Sequence, residues 1–201
     1  MLPDEYSDPD SGSIPARNYA MYHSKQLGYS RHWVLDDNIQ CYYRVNDNKR
    51  YKIKSGAAFK IIEDYVDRYE NVIMAGHNYK FFVVPTNNMP PFTLNTRIYS
   101  SILLSNDHSF EWRGKYNEDT DLSLRILKMG YPTILFNNIV CDKIATLKMT
   151  GGNEEIYGGD GVYLKAKSLE EQHPDVVKIG KRFGRIHHIV DYKPFKFNNR
   201  I

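Results

Sequence analysis

Between Arg31 and Phe136, apolar stretches of strand length alternate with stretches of helical period. That alternation restricts the fold more than any other feature of the chain. Pro15 suits a first helical turn and Gly28 suits a helix end, which predicts a helix over Pro15 to Leu27. Arg31 to Leu35 reads as a strand stopped by Asp36-Asp37-Asn38. Cys41 to Val45 reads as a second strand, followed by a polar turn over Asn46 to Arg50. Ser55 can cap a helix in which Ala58, Phe59, Ile61, Ile62, Tyr65, Val66 and Tyr69 recur at helical spacing. Val72 to Ala75, Lys80 to Val84, Arg97 to Leu104 and Tyr131 to Phe136 read as strands, with a loop over Thr86 to Phe92. Asn117 is placed to cap a helix over Glu118 to Met129, with Gly130 just past its end. Gly151, Gly152, Gly158, Gly159 and Gly161 mark a flexible stretch. Ser168 to Gly180 reads as a helix interrupted by Pro174. Helices and strands that alternate in this way predict an α/β fold with a mixed sheet.

The chain has 201 residues, the size of one large domain, and can bury a core without disulfides or metal staples. Its longest apolar run, Phe81 to Val84, is too short to span a membrane, and the acidic start is no secretory signal. Cys41 and Cys141 are therefore expected as buried thiols. The net charge of +3 conceals an asymmetry. Lys178 to Ile201 holds seven Lys or Arg and one Asp, while the remaining 177 residues sum to −3. Such a segment is either a solvated surface or a footprint for a polyanion, with Lys181, Arg182 and Arg185 as its densest cluster.

Three constellations carry chemistry. In Val34-Leu35-Asp36-Asp37-Asn38, adjacent carboxylates end a strand, where α/β folds bind ligands. Two like charges there either close an Asx-rich turn or await a cation such as Mg²⁺ or Mn²⁺ shared with a diphosphate. In Asn117-Glu118-Asp119-Thr120-Asp121, three acids occupy four helix-start positions. That exceeds what the helix dipole needs, and a carboxylate there can act as general base for a hydroxyl. In Ile14-Pro15-Ala16-Arg17-Asn18, Arg17 is a solvated charge or a phosphate contact.

The order of these motifs resembles the GT-A glycosyltransferases. Trp33 to Ile39, Tyr116 to Asp121, and Arg185-Ile186-His187-His188 with Asp191-Tyr192 resemble one group in particular, the TET-associated glycosyltransferase family. The resemblance covers about residues 14–195 and implies a GT-A-like mixed sheet flanked by helices. GT-A enzymes usually open with a nucleobase-binding βαβ unit. Here 13 residues precede the helix, so part of that unit is expected to be missing. The implied organisation is an acidic arm over 1–13, a transferase domain over 14–195 whose basic segment starts at 178, and a tail over 196–201.

The resemblance implies transfer of a sugar from a nucleotide-sugar donor, such as UDP-glucose, to a hydroxylated base in DNA. A base of the 5-hydroxymethylcytosine type, made by a TET-like oxygenase of phage-type DNA modification, is the implied acceptor, and host cytoplasm the implied location. Asp37 and Asp36 would hold Mn²⁺ or Mg²⁺, with His187 or His188 completing the site. Arg17, Asn18, Asp36 and Asn38 would bind the donor. Asp119 or Glu118 would be the base, and Lys181, Arg182 and Arg185 would hold DNA. A protein or glycan acceptor on the same fold, and an inactive nucleic-acid-binding module, are the alternatives. A two-metal nuclease also clusters acids but gives Arg17-Asn18 no role.

Overall fold

A computed structural model describes residues 3–6, 12–86, 88–144, 161–182 and 184–201. Helix α1 (Ile14–Gln26) carries Pro15 in its first turn, where no backbone N–H is needed, and gives way to Gly28 at φ 76°. Strand β1 (Arg31–Leu35) follows. Strands β2 (Ile39–Asn46) and β3 (Lys49–Ile53) form a hairpin closed by Asp47 and Asn48 at φ 49° and 60°. Asp and Asn tolerate this left-handed pair, so the polar turn expected over 46–50 shrinks to two residues and Lys49 already belongs to a strand. Helix α2 (Ala57–Val66) starts after Gly56; the Ser55 hydroxyl accepts from the Ala57 amide at 3.4 Å instead of capping the helix.

Strand β4 (Met74–Tyr79) begins later than expected, and Lys80 to Val84 is no strand. The Phe82 amide turns back to the Tyr79 carbonyl at 3.0 Å, which ends the extended backbone. Strands β5 (Phe92–Leu94) and β6 (Ser101–Ser105) come next. Ser100, at φ 64°, cannot be extended, so β6 starts after it and not at Arg97. Helix α3 (Glu118–Lys128) ends before Gly130 as expected. Asn117 precedes it in the left-handed region, and its side chain donates to the Lys165 carbonyl at 2.7 Å, not to the helix start. Strand β7 (Thr133–Lys143) runs past Phe136, its register on β4 shifting at His77/Asn78. Helix α4 (Gly161–Gln172) ends before Pro174, and strands β8 (Val177–Arg182) and β9 (Arg185–Val190) form a hairpin. The helix expected over 168–180 is thus helix only to Gln172 and strand from Val177, because a proline cannot continue a helix. Gly151, Gly152, Gly158 and Gly159 lie outside the described residues.

The main sheet has the order β1-β6-β4-β7-β2-β3, with β5 also on β7. Strands β4 and β7 are parallel, while β6 is antiparallel to both β1 and β4. Strands β1, β4 and β7 therefore run in one direction and end at the same edge. Consecutive residues feed opposite faces: Met74, Ile102, Leu104 and Leu135 pack with Leu122 and Ile126 of α3. Ala75, Leu103, Ile134 and Phe136 pack with Ile62 and Val66 of α2. A sheet buried on both faces is the GT-A-like α/β arrangement expected. Gly76 is required where β4 meets β6, since a Cβ there would lie 2.2 Å from the Ser101 carbonyl oxygen. Cys41 and Cys141 are free thiols, and burial pushes that of Cys141 up to about 12. Among the described residues no helix is long and apolar enough to cross a membrane.

Candidate active site

The three parallel strands bring Asp36, Tyr79 and Lys143 to one edge of the sheet. Asp36 follows β1, and its amide donates to the Ser100 carbonyl at 2.8 Å. Its two carboxylate oxygens are both engaged. Oδ1 lies 3.3 Å from Arg17 Nη2. Oδ2 accepts from Lys143 Nζ and from Ser100 Oγ, each at 2.6 Å. Lys143 also reaches Ser100 Oγ at 2.8 Å, and the Tyr79 hydroxyl bonds the same oxygen. Burial, with the nearby Asp119 and Asp36 charges, raises the Tyr79 phenol far above its ordinary range.

Arg17 joins the first two acidic motifs. Its Nη1 lies 3.2 Å from Glu118 Oε1, and its guanidinium stacks 4.6 Å over the Trp112 ring. Asn18, one residue on, is spent on the backbone of Trp112, donating to its carbonyl at 3.0 Å and accepting from its amide at 2.8 Å. A cleft of about 450 Å³ opens between α1 and β1, walled by Ser13, Ala16, Arg17, Trp33, Asp36 and Asp37 among others. That volume falls in the small-molecule range. Asp37 is exposed on this wall and has no ion pair or hydrogen bond among the described residues. Asn38 sends its amide towards the Ile144 carbonyl at 3.5 Å, and its buried Oδ1 has no partner among the described residues.

Glu118 and Asp119 differ in surroundings. Burial and the adjacent Asp119 raise the Glu118 carboxyl, against the pull of Arg17. Asp119 Oδ1 is fixed by the Thr120 amide at 2.6 Å and hydroxyl at 3.2 Å. Its other oxygen has no hydrogen bond among the described residues. Its charge is felt by Tyr79, Tyr99, Tyr192 and Arg97. Asp121 is fully buried and serves the scaffold. Arg113 Nη2 at 2.9 Å, Arg125 Nε at 2.8 Å and His173 Nε2 at 2.9 Å converge on it. Burial alone would raise its carboxyl, but the His173 and Arg113 hydrogen bonds and the Arg125 charge bring it down to about 2.

Strand alternation separates the two C-terminal histidines. His187 is exposed, whereas His188 turns inward with Nε2 3.4 Å from Arg97 Nη1. Burial and the Arg97 charge lower His188 to about 4, so it is neutral near pH 7. Among the described residues no three His, Cys, Asp or Glu side chains converge on a point. Asp36, Asp37 and His187 therefore do not form one metal cage. Of these three, Asp37 is the carboxylate left without a partner among the described residues, and a single carboxylate could hold a divalent ion only together with further oxygen ligands. Lys181, Arg182 and Arg185 are all exposed at the β8–β9 hairpin, Arg182 directly opposite Arg185.

Sequence reasoning missed Lys143, Ser100 and Arg97, since each takes its role from partners distant in sequence: Asp36 for Lys143 and Ser100, His188 for Arg97. It also passed over Lys49 to Lys54, four cations in six residues, by reading the start of that run as a turn.

A mixed sheet with paired carboxylates after one of its parallel strands, an arginine bridging Asp36 to a helix-start acid, and a cleft of small-molecule size alongside fit a GT-A-like α/β fold. The family model described as TET-Associated Glycosyltransferase matches residues 1–152, from α1 through β7, and the chain belongs to that family. Comparison with curated proteins and with solved structures returns no match.

Proposed function

We propose that this glycosyltransferase moves a sugar from a nucleotide-sugar donor, a UDP-sugar such as UDP-glucose, to the hydroxyl of a hydroxymethyl-type base in DNA. The observation that carries the reading is Arg17, which touches Asp36 at the donor cleft and Glu118 beside Asp119. Donor and acceptor groups thus share one guanidinium. The nucleotide would lie in the cleft along β1, with the diphosphate towards Arg17 and Asp37. A divalent ion on Asp37 and the diphosphate would neutralise charge on the departing nucleoside diphosphate. Asp119, with its uncommitted oxygen, would accept the proton as the acceptor oxygen bonds to the anomeric carbon and the sugar–phosphate bond breaks. Ser100 and Lys143 hold Asp36 in place, so the donor meets a fixed acid and not a mobile one. The exposed Lys181, Arg182 and Arg185 would grip DNA phosphates. The substrate chemistry calls for a hydroxylating oxygenase of the TET type upstream. A mass-spectrometric screen of nucleotide sugars with hydroxymethylated DNA tests the reading, with unmodified DNA as control. Transfer only to the hydroxylated DNA is the expected result. Transfer to protein or glycan alone, or none with any donor, would overturn it.

A further inference from the structure

Just beyond the end of β4, Phe81 and Phe82 are 64% and 54% exposed, and Val84 is 69% exposed. Apolar side chains grouped on a turn in water mark a surface that meets something else. These rings are also part of a stack. Phe81 and Phe82 have centroids 4.2 Å apart, and they lie 5.2 and 5.8 Å from the Tyr79 ring at 25° and 30° to its plane. Tyr79 lies 4.5 Å from Tyr99. The Tyr79 hydroxyl bonds Ser100, and Ser100 bonds Asp36. A run of ring contacts thus leads from the carboxylate centre to the surface.

The neighbouring hairpin is strongly basic. Residues 39–54 hold five Lys or Arg and one acid. Lys49, Arg50, Lys52 and Lys54 are all exposed. The β2–β3 register sets Arg50 opposite Val45 and Lys52 opposite Tyr43, the face that Val83 covers. Arg50 Nη2 donates to the carbonyls of Val83 at 2.5 Å and Lys80 at 3.2 Å, which ties the basic strand to the aromatic turn. An apolar protein segment would leave these cations unpaired, and a neutral sugar would give them nothing to bind. An unpaired nucleotide supplies both a π face and phosphates.

We propose that the Phe81–Phe82 turn and strand β3 form a single-strand nucleic-acid surface, which holds a base taken out of the helix, with its flanking phosphates, next to the Asp36–Asp119 centre. This rests on the DNA-acceptor reading for its role, though not for the binding itself. It is separate from the β8–β9 hairpin, which has cations but no such exposed ring pair among the described residues.

The test is fluorescence anisotropy of the full chain, without donor, on labelled single-stranded and duplex oligonucleotides. Phe81→Ala with Phe82→Ala should weaken single-strand binding about tenfold or more, in line with the loss of one or two stacked bases. Phe81→Trp with Phe82→Trp should retain it. Lys52→Ala with Lys54→Ala should flatten the single-strand salt slope by about 0.7 per lost contact. Thermal midpoints near that of the wild type would show that the variants, altered at exposed positions, fold. Unchanged affinity in the double Ala variant overturns the proposal. So does an equal loss in the Trp variant, which would mean that the turn docks by shape, as onto a protein. Phe-dependent single-strand binding without any sugar transfer would overturn only the acceptor reading. Transfer without Phe-dependent binding would overturn only this one.

Discussion

Asp121→Asn is the most direct test of how the start of α3 is held. Asp121 is fully buried, and Arg113 from the preceding loop, Arg125 from the next turn of α3 and His173 after α4 all converge on it. The carboxyl drops from 3.8 to about 2. A shift of this size corresponds to roughly 2 kcal/mol of stability. Removing the charge also strands Arg125 and His173, which are largely buried, so the loss at pH 7 should be about 2–4 kcal/mol. For a chain of this size that lowers the thermal midpoint by roughly 5–15 °C. The sign with pH follows from the depressed carboxyl. The contribution is complete above about pH 4 and is lost as pH falls through the native value near 2. Urea unfolding of wild type and Asp121→Asn, from pH 7 downwards while both remain folded, should show a constant gap to about pH 4 and a narrowing gap below it. A gap under about 0.5 kcal/mol at pH 7 would refute the reasoning. So would one that does not narrow in acid.

Asp119→Asn should leave donor binding nearly intact and cut sugar transfer by on the order of 10²-fold or more, with Glu118→Gln doing less. Wild-type transfer by Asp119→Asn with abolition by Glu118→Gln would reverse the assignment. Calorimetry should find that a divalent ion tightens uridine diphosphate binding, and that Asp37→Ala removes this gain. Equal affinity in chelator would refute a metal on Asp37. Replacing Lys181, Arg182 and Arg185 with Ala should weaken duplex DNA binding and flatten its salt slope by roughly 0.9 per lost contact. An unchanged slope would make the β8–β9 hairpin merely solvated.

Local chemistry was legible in the amino-acid order wherever a residue's own backbone preference decided the outcome. Pro15 and Gly28 bracketed α1, and Gly130 followed the end of α3. The acids that end β1 and begin α3 stood out because clustered like charge is hard to explain by folding alone. The reading failed where a partner distant in sequence decided. Lys80 to Val84 has the composition of a strand, yet it turns outward, tied to Arg50 thirty residues earlier. Val177 to Gly180 continues a helical pattern, yet it pairs with β9 once Pro174 has broken the helix.

The sequence by itself determined the α/β class, the family, and which acids deserved attention. The tertiary structure alone decided how those acids are employed. Asp36 and Asp37 are neighbours in the chain, but Lys143, 107 positions from Asp36, saturates Asp36 together with Arg17 and Ser100 and leaves Asp37 open. His187 and His188 are adjacent and chemically identical, but strand alternation turns one outward and the other inward, half-buried beside Arg97. Asp119 and Asp121 lie two residues apart on one helix, yet Asp119 keeps one oxygen without a hydrogen bond among the described residues and Asp121 is held by two guanidiniums and an imidazole. The reason is that charge and hydrogen bonding depend on distance in space and on exclusion of water, and packing sets both.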